Sequence, residues 1–241
     1  MQVTQVWRYP VKSLQGERLD SVEVSAYGIS GDRGWAIFDT VTGFGLTARR
    51  RPELLFASAR LVDGGTVEIT LPDGSVAASD ADLSTWLGQP VALRSTAAVS
   101  ERRYENPSDF EDEAAGGWEP FAGANGAFHD SGRANVSLLS TTTIGDWALR
   151  RFRANLILDA TGGAPADEDA LVGSRIGVGT TQLDVHMRIE RCVMVTRPQP
   201  DGVARDLDVL RTIHRTRAGC LAVGATVAGP GRITAGDPVQ A

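Results

Sequence analysis

Short apolar stretches that alternate with polar residues recur along the chain, and they limit most strongly the folds open to it. Val67, Ile69 and Leu71 form one such run, and Leu183, Val185 and Met187 another, each bounded by Gly, Asp or Pro. A period of two puts every second side chain on one face, which is the pattern of a half-buried antiparallel strand. The 27 glycines and 11 prolines supply turns enough to join many short strands, as barrels and sandwiches require. At 241 residues the chain admits one large β domain or two modest ones. The expectation is a mainly β protein with a few helices, of the α+β class.

Three helices interrupt this pattern. Residues 80–87 place Leu83, Trp86 and Leu87 on one face, with acidic residues at the start and Gly88 and Pro90 as the stop. A second helix follows a strand at 135–139, with Ser140 or Thr141 as N-cap and Ile144, Trp147 and Ala148 on one side. The third covers about 206–215, with Leu207, Leu210 and Ile213 inward. Residues 100–132 carry acidic residues, glycines and the aromatics Tyr104, Phe110, Trp118, Phe121 and Phe128 without periodicity, which reads as a long loop or lid. A boundary near 90–100 separates two β-rich halves.

Charge and motif content exclude several functions. A net charge of −6 repels phosphate backbones and anionic lipid, so neither nucleic acid nor a membrane is expected as a partner. There is no apolar run of signal-peptide or membrane-span length, and a cytoplasmic protein is expected. Hydrolase, P-loop and dinucleotide motifs are missing. Two cysteines, Cys192 and Cys220, are too few for a cluster, and His129, His186 and His214 lack the spacing of a zinc site.

One residue stands out by composition. Of 24 basic residues, 23 are arginine and only Lys12 is lysine. An ammonium is a compact point charge where guanidinium is a planar fork, so a site shaped for one does not readily accept the other. A surface lysine left by drift is the alternative.

Five segments carry a resemblance. RYPVKSLQGE (8–17) and YGISGDRGWAIFDTVTGFGLTARRRPELL (27–55) are similar to the N-terminal β-barrel domain that accompanies MOSC domains. RFRANLILD (151–159), RIERCVMVT (188–196) and GRITAGDPV (231–239) resemble the MOSC domain itself, the C-terminal domain of molybdenum-cofactor sulfurases that also occurs in the amidoxime-reducing component. The resemblance implies a β-barrel-like domain over 1–95 packed on a MOSC β-barrel over 96–241, with the cofactor in the cleft between them.

It also implies a site. The cysteine of the R-C pair, here Cys192, would ligate molybdenum held by a molybdopterin. A soft thiolate suits a metal already bound by sulfur, and Arg191 places positive charge beside it. A buried structural cysteine is the competing reading of Cys192. For the cofactor phosphate the resemblance implies Lys12, Ser13 and Arg33 from the first segments, and Ser140, Thr141, Arg153 and Asn155 from the MOSC half. Each has an alternative: Ser140 and Thr141 as N-caps, Arg33 paired with Asp32 or Asp39, Arg153 as a solvated strand residue. Glu190 departs from the small or hydroxylic residue usual two before the cysteine. Arg49 and Arg50 are expected near the mouth of the site, and Cys220 as a core residue or a bystander.

The implied activity is reduction of N-hydroxylated or N-oxide compounds. No cluster, haem or nucleotide motif is present, so a separate electron-donor protein is required alongside the small-molecule substrate. The alternative activity is sulfur transfer or cofactor carriage, with Cys192 bearing a persulfide or holding the cofactor. The sequence leaves the oligomeric state open.

Overall fold

The computed structural model describes residues 1–62, 65–109, 116–160 and 167–240. Strands dominate, joined by three α-helices and short 3-10 turns. The contacts divide the chain into two compact units. The first comprises Met1–Arg8, Gly16–Asp32 and Arg133–Ala241, and the second Tyr9–Gln15 and Arg33–Gly132.

An eight-stranded sheet organises the first unit, in the order Val239–Gln240, Arg175–Val178, Thr181–Glu190, Cys220–Gly229, Val136–Ser140, Leu156–Asp159, Gln2–Arg8, Glu17–Leu19. Neighbours are antiparallel except Val136–Ser140 and Leu156–Asp159, which run parallel, with Leu138 opposite Leu156 and Leu139 opposite Ile157. These two central strands read as near-continuous apolar runs because both sheet faces are covered. Leu138, Leu156 and Leu158 enter one core with Val3, Val6, Leu183, Val185 and Val223. Leu139 and Ile157 enter the other, where Val209 and Ile213 cover them. Each fully buried aliphatic side chain contributes roughly 1.5–3 kcal/mol.

A parallel pair needs a crossover, and here it holds helix α2 (Thr141–Ile144), preceded in the chain by α1 (Asp80–Leu87) of the second unit. Helix α2 is one turn, not the longer helix expected. Gly145 leaves the helical region at φ +55° and ψ −129°, so Trp147 and Ala148 lie beyond it, and Trp147 packs instead on Phe152 at 5.9 Å. Helix α3 (Leu207–Arg217) runs two residues past its expected end. It buries Val209 and Ile213, whereas Leu207, expected inward, is 40% exposed.

In the second unit, Trp35–Asp39 pairs with Val91–Ser95, and Ser58–Val62, Thr66–Thr70 and Val76–Ala77 form a three-stranded sheet. Helix α1 occupies its expected range. Ser79 and Asp82 close a capping box at its start, and Gly88, at φ +66°, ends it. The stretch 100–132, expected as a loop, contains an antiparallel hairpin, Arg103–Pro107 with Trp118–Ala122. Tyr104 anchors it among Phe38 and Phe121, at ring separations of 6.4 and 5.8 Å. The tertiary partners, rather than any alternation within the segment, order it. Phe110 belongs to 110–115, outside the described residues.

No helix among the described residues is long and apolar enough to cross a membrane.

Candidate functional site

Cys192 stands where strand Thr181–Glu190 gives way to a 3-10 turn, Val193–Thr196, and it is exposed. That excludes the buried structural cysteine. The strand beside it explains the placement. Between the pairs Arg188↔Val223 and Glu190↔Cys220 the neighbouring strand carries one extra residue, a bulge at Leu221 and Ala222. Ala222 is buried there at φ +78°, a left-handed backbone that costs a non-glycine residue roughly 1–2 kcal/mol. The bulge leaves the Leu221 carbonyl to receive Arg191 Nε at 2.7 Å, while Arg191 Nη1 donates to the Phe152 carbonyl at 3.0 Å. Arg191 thus ties the Cys192 segment to the residue preceding Arg153. Its guanidinium acts as a brace, fixing where the sulfur emerges.

The oxygen and amide groups expected for the same site are committed to the protein. Asn155 is 1% exposed; its Oδ1 accepts from Ser137 N at 3.2 Å and Ser137 Oγ at 2.9 Å, and its Nδ2 donates to the Trp7 carbonyl at 3.2 Å. It pins three adjacent strands together. Ser140 is the N-cap of α2: its Oγ accepts from Thr143 N at 3.1 Å. An anion does sit at this junction, but it is the chain's own. Glu168, fully buried, accepts from Ser140 N at 3.3 Å and Thr143 Oγ1 at 2.7 Å, and pairs with Arg217 at 3.2 Å. Arg217 also holds Asp169 at 2.9 Å, which in turn meets Arg188 at 3.2 Å. This network escaped the sequence, because Ser140, the adjacent Glu168 and Asp169, Arg188 and Arg217 come from segments well separated along the chain.

Thr141 Oγ1 donates to Asp159 Oδ1 at 2.8 Å, and that bond, before the one from Ala160 N, holds the Asp159 carboxyl below the usual carboxylate range. A carboxyl with a depressed folded pKa adds stability above its unfolded pKa and loses it as pH falls through the folded value. Thr141→Val is therefore expected to raise the Asp159 pKa toward its ordinary value, read by NMR titration below pH about 5. An unmoved pKa would show that the hydroxyl serves something else.

In the second unit the structure brings Lys12, Ser13 and Arg33 onto adjoining backbone. Arg33 N donates to the Tyr9 carbonyl at 2.7 Å and Lys12 N to the Trp35 carbonyl at 2.9 Å. Phe128 links the two cations: its N–H donates to the Arg33 carbonyl at 2.8 Å, and its carbonyl accepts from Lys12 Nζ at 3.2 Å. Ser13 Oγ accepts from Ala48 N at 3.0 Å, and the Arg33 guanidinium stacks on Tyr9 at 5.0 Å.

Lys12 is only 5% exposed, which excludes a drifted surface lysine. Its ammonium pairs with Asp130 and lies 5.0 Å from the centre of the Tyr104 ring. Burial, and secondarily Asp130, push the Tyr104 hydroxyl above its ordinary pKa, so it stays neutral. Arg50 stacks on Trp118 at 4.4 Å and pairs with Glu105 at 3.6 Å.

Three of the expected positions carry a strained backbone. Six non-glycine residues among those described have left-handed backbones, and three are Ser13 (φ +70°), Arg33 (φ +50°) and Arg153 (φ +51°). Such strain persists where the surroundings over-determine it, and it gathers at functional sites. If the side chain is the reason Arg33 occupies this backbone, Arg33→Gly will keep or slightly raise the melting temperature and weaken binding of inorganic pyrophosphate. A lower melting temperature with unchanged anion binding would make Arg33 structural.

Residues 1–118 match the MOSC N-terminal beta barrel domain, and residues 124–240 match the MOSC domain. The chain belongs to the MOSC family. Among curated relatives, this MOSC chain is 26% identical over 256 residues to the molybdenum cofactor sulfurase of Drosophila grimshawi, covering 92% of this chain and 31% of that protein. It therefore spans about a third of that relative's length. Among solved structures it is similar to the YUAD protein of Bacillus subtilis at 13% identity and a TM-score of 0.44, over 99% of this chain and 93% of that one. It also resembles YiiM of Geobacillus stearothermophilus, at 15% identity and a TM-score of 0.35, over 57% and 71% of the two chains. The exposed Cys192 and the braced Arg191 both fall within the MOSC match.

Proposed function

We propose that the protein is a molybdenum-cofactor-dependent oxidoreductase that reduces N-hydroxylated or N-oxide compounds, with electrons delivered by a separate protein. The observation that carries the reading is an exposed cysteine, in a MOSC domain, held at the end of a bulged strand by an arginine braced on two carbonyls. The donor set suits the cofactor's metal end: a solvent-facing soft sulfur is what a sulfur-ligated metal takes. Cys192 is the protein ligand in this reading, Arg191 its positioning residue, and Arg153 the cation that follows Phe152, whose carbonyl Arg191 holds. In this reading Arg33 and Lys12, the latter paired with Asp130, are the cations offered to the cofactor's phosphate. Asn155, Ser140 and Thr141 serve as scaffold.

When bound, the molybdenum cofactor supplies two-electron oxygen-atom transfer. For an amidoxime the N–O bond breaks and the oxygen leaves as water, with two electrons from the donor protein and two protons from solvent. The chain's own contribution is to orient the sulfur and to keep it accessible. Glu190 is exposed, two residues from Cys192, where a carboxylate can relay a proton.

The similarity to a molybdenum cofactor sulfurase favours a second reading, in which Cys192 carries a persulfide or holds the cofactor for delivery. Turnover separates the two. Molybdenum-loaded protein with reduced methyl viologen is expected to convert benzamidoxime to benzamidine under the first reading. Absence of benzamidine from fully loaded protein would contradict it and leave the carrier role.

A further inference from the structure

Helix α3 has an apolar core face and a second face that joins two leucines to basic residues. Val209 and Ile213 enter the core, fully buried. Leu207, Leu210, Arg211, His214 and Arg215 stand at i, i+3, i+4, i+7 and i+8, a single stripe on another side. This stripe and the 3-10 turn Val193–Thr196 wall a groove of 630 Å³. Its Leu207 end is apolar, and Leu207 is 40% exposed on it. Its other end holds Arg211, His214 and Arg215, and no acidic residue lines it. In a chain of net charge −6, that sign is the reverse of the whole.

From this pattern we infer that the groove binds a small apolar anion, an aromatic or aliphatic carboxylate, with its hydrocarbon body over Leu207 and Leu210 and its carboxylate toward Arg211 and Arg215. The volume lies in the range of small-molecule sites, about 300–1,000 Å³. A protein partner would need roughly 20–30 residues a side, more than one helical stripe and a turn provide. Helix dipole alone accounts for cations in the last turn of α3, but not for their sharing a groove with an exposed leucine. Asp208 pairs with Arg211 at 3.1 Å, but both are exposed, and such a pair yields readily to a carboxylate ligand. Cys192 caps the 3-10 turn, so the groove wall begins at the residue after the thiol. Assigning the groove to the non-reacting end of the substrate rests on the function proposed above; the binding itself does not.

The test uses the full chain, with 2-naphthoate as the probe displacing anilinonaphthalene sulfonate. The doubly substituted Arg211→Gln, Arg215→Gln protein, which keeps good helix formers, is expected to bind naphthoate at least about tenfold more weakly. Leu207→Asp is expected to do the same, and the neutral 2-naphthalenemethanol to bind about tenfold more weakly than naphthoate to the unaltered chain. Bound naphthoate should slow alkylation of Cys192 by iodoacetamide but not that of Cys220, followed by peptide mass spectrometry. Naphthoate that does not bind, or that binds equally well without the two arginines, overturns the inference, as does a groove that only an acidic protein occupies. Naphthoate binding with no benzamidoxime turnover would sink the proposed reaction and leave the groove standing. Turnover without naphthoate binding would do the opposite.

Discussion

Serine in place of Cys192 is expected to cost more than about 100-fold in benzamidoxime turnover while moving the melting temperature by roughly 2 °C or less. The two magnitudes follow from different facts. Loss of a partner that only orients a metal ligand already costs about 10–100-fold, and loss of the ligand itself exceeds that. The fold is spared because Cys192 is exposed and caps the 3-10 turn with no side-chain hydrogen bond. Steady-state kinetics and a thermal melt on matched preparations check both. Turnover within a few-fold of the unaltered protein would remove Cys192 from the chemistry.

Asn155→Leu should behave in the opposite way. Three hydrogen bonds, to Ser137 N, Ser137 Oγ and the Trp7 carbonyl, disappear from a residue 1% exposed. Each is worth about 1 kcal/mol, and the abandoned partners add a desolvation cost, so a loss of about 3–5 kcal/mol is expected. For a chain of this size that lowers the melting temperature by roughly 6–20 °C. A thermal melt decides it. A shift below about 2 °C would mean that the amide is not the pin of these strands and is available to a ligand.

These two residues show what the sequence could reveal. The R-C pair draws attention to Cys192 from local order alone, because the two residues directly follow the strand Thr181–Glu190. Asn155 belongs to a motif of the same kind, yet its amide is spent on Ser137 and Trp7, 18 and 148 residues away. Nothing local distinguishes a donor aimed at a ligand from one aimed at a neighbouring strand. Ser140 illustrates the limit again. The strand-to-helix junction was legible as an anion seat, but its occupant, Glu168, arrives from 28 residues downstream.

Elements with short-range causes were the clearest. Helix α1 has its capping box and terminal glycine within ten residues of chain, and it spans the expected range. Helix α2 was overextended because apolar spacing continues past Gly145, whose backbone ends the turn. The paired strands Arg103–Pro107 and Trp118–Ala122 carry no alternation, since their order comes from Tyr104 packing on Phe38, 66 positions earlier. Periodicity points Leu207 inward. The helix instead buries the face of Val209 and Ile213, and Leu207 falls on the groove.

The lone lysine was legible as unusual, and its burial shows that position 12 is built around an ammonium. Asp130, its partner, was invisible in the sequence because it lies 118 residues away in a stretch without a motif.

The proposed chemistry requires the sulfur of Cys192 to reach a metal. X-ray absorption at the molybdenum edge, on the cofactor-loaded protein and its Cys192→Ser variant, reads the sulfur ligands directly. One fewer sulfur in the variant, at unchanged cofactor content, is the predicted result. An identical sulfur shell in both proteins would contradict the assignment.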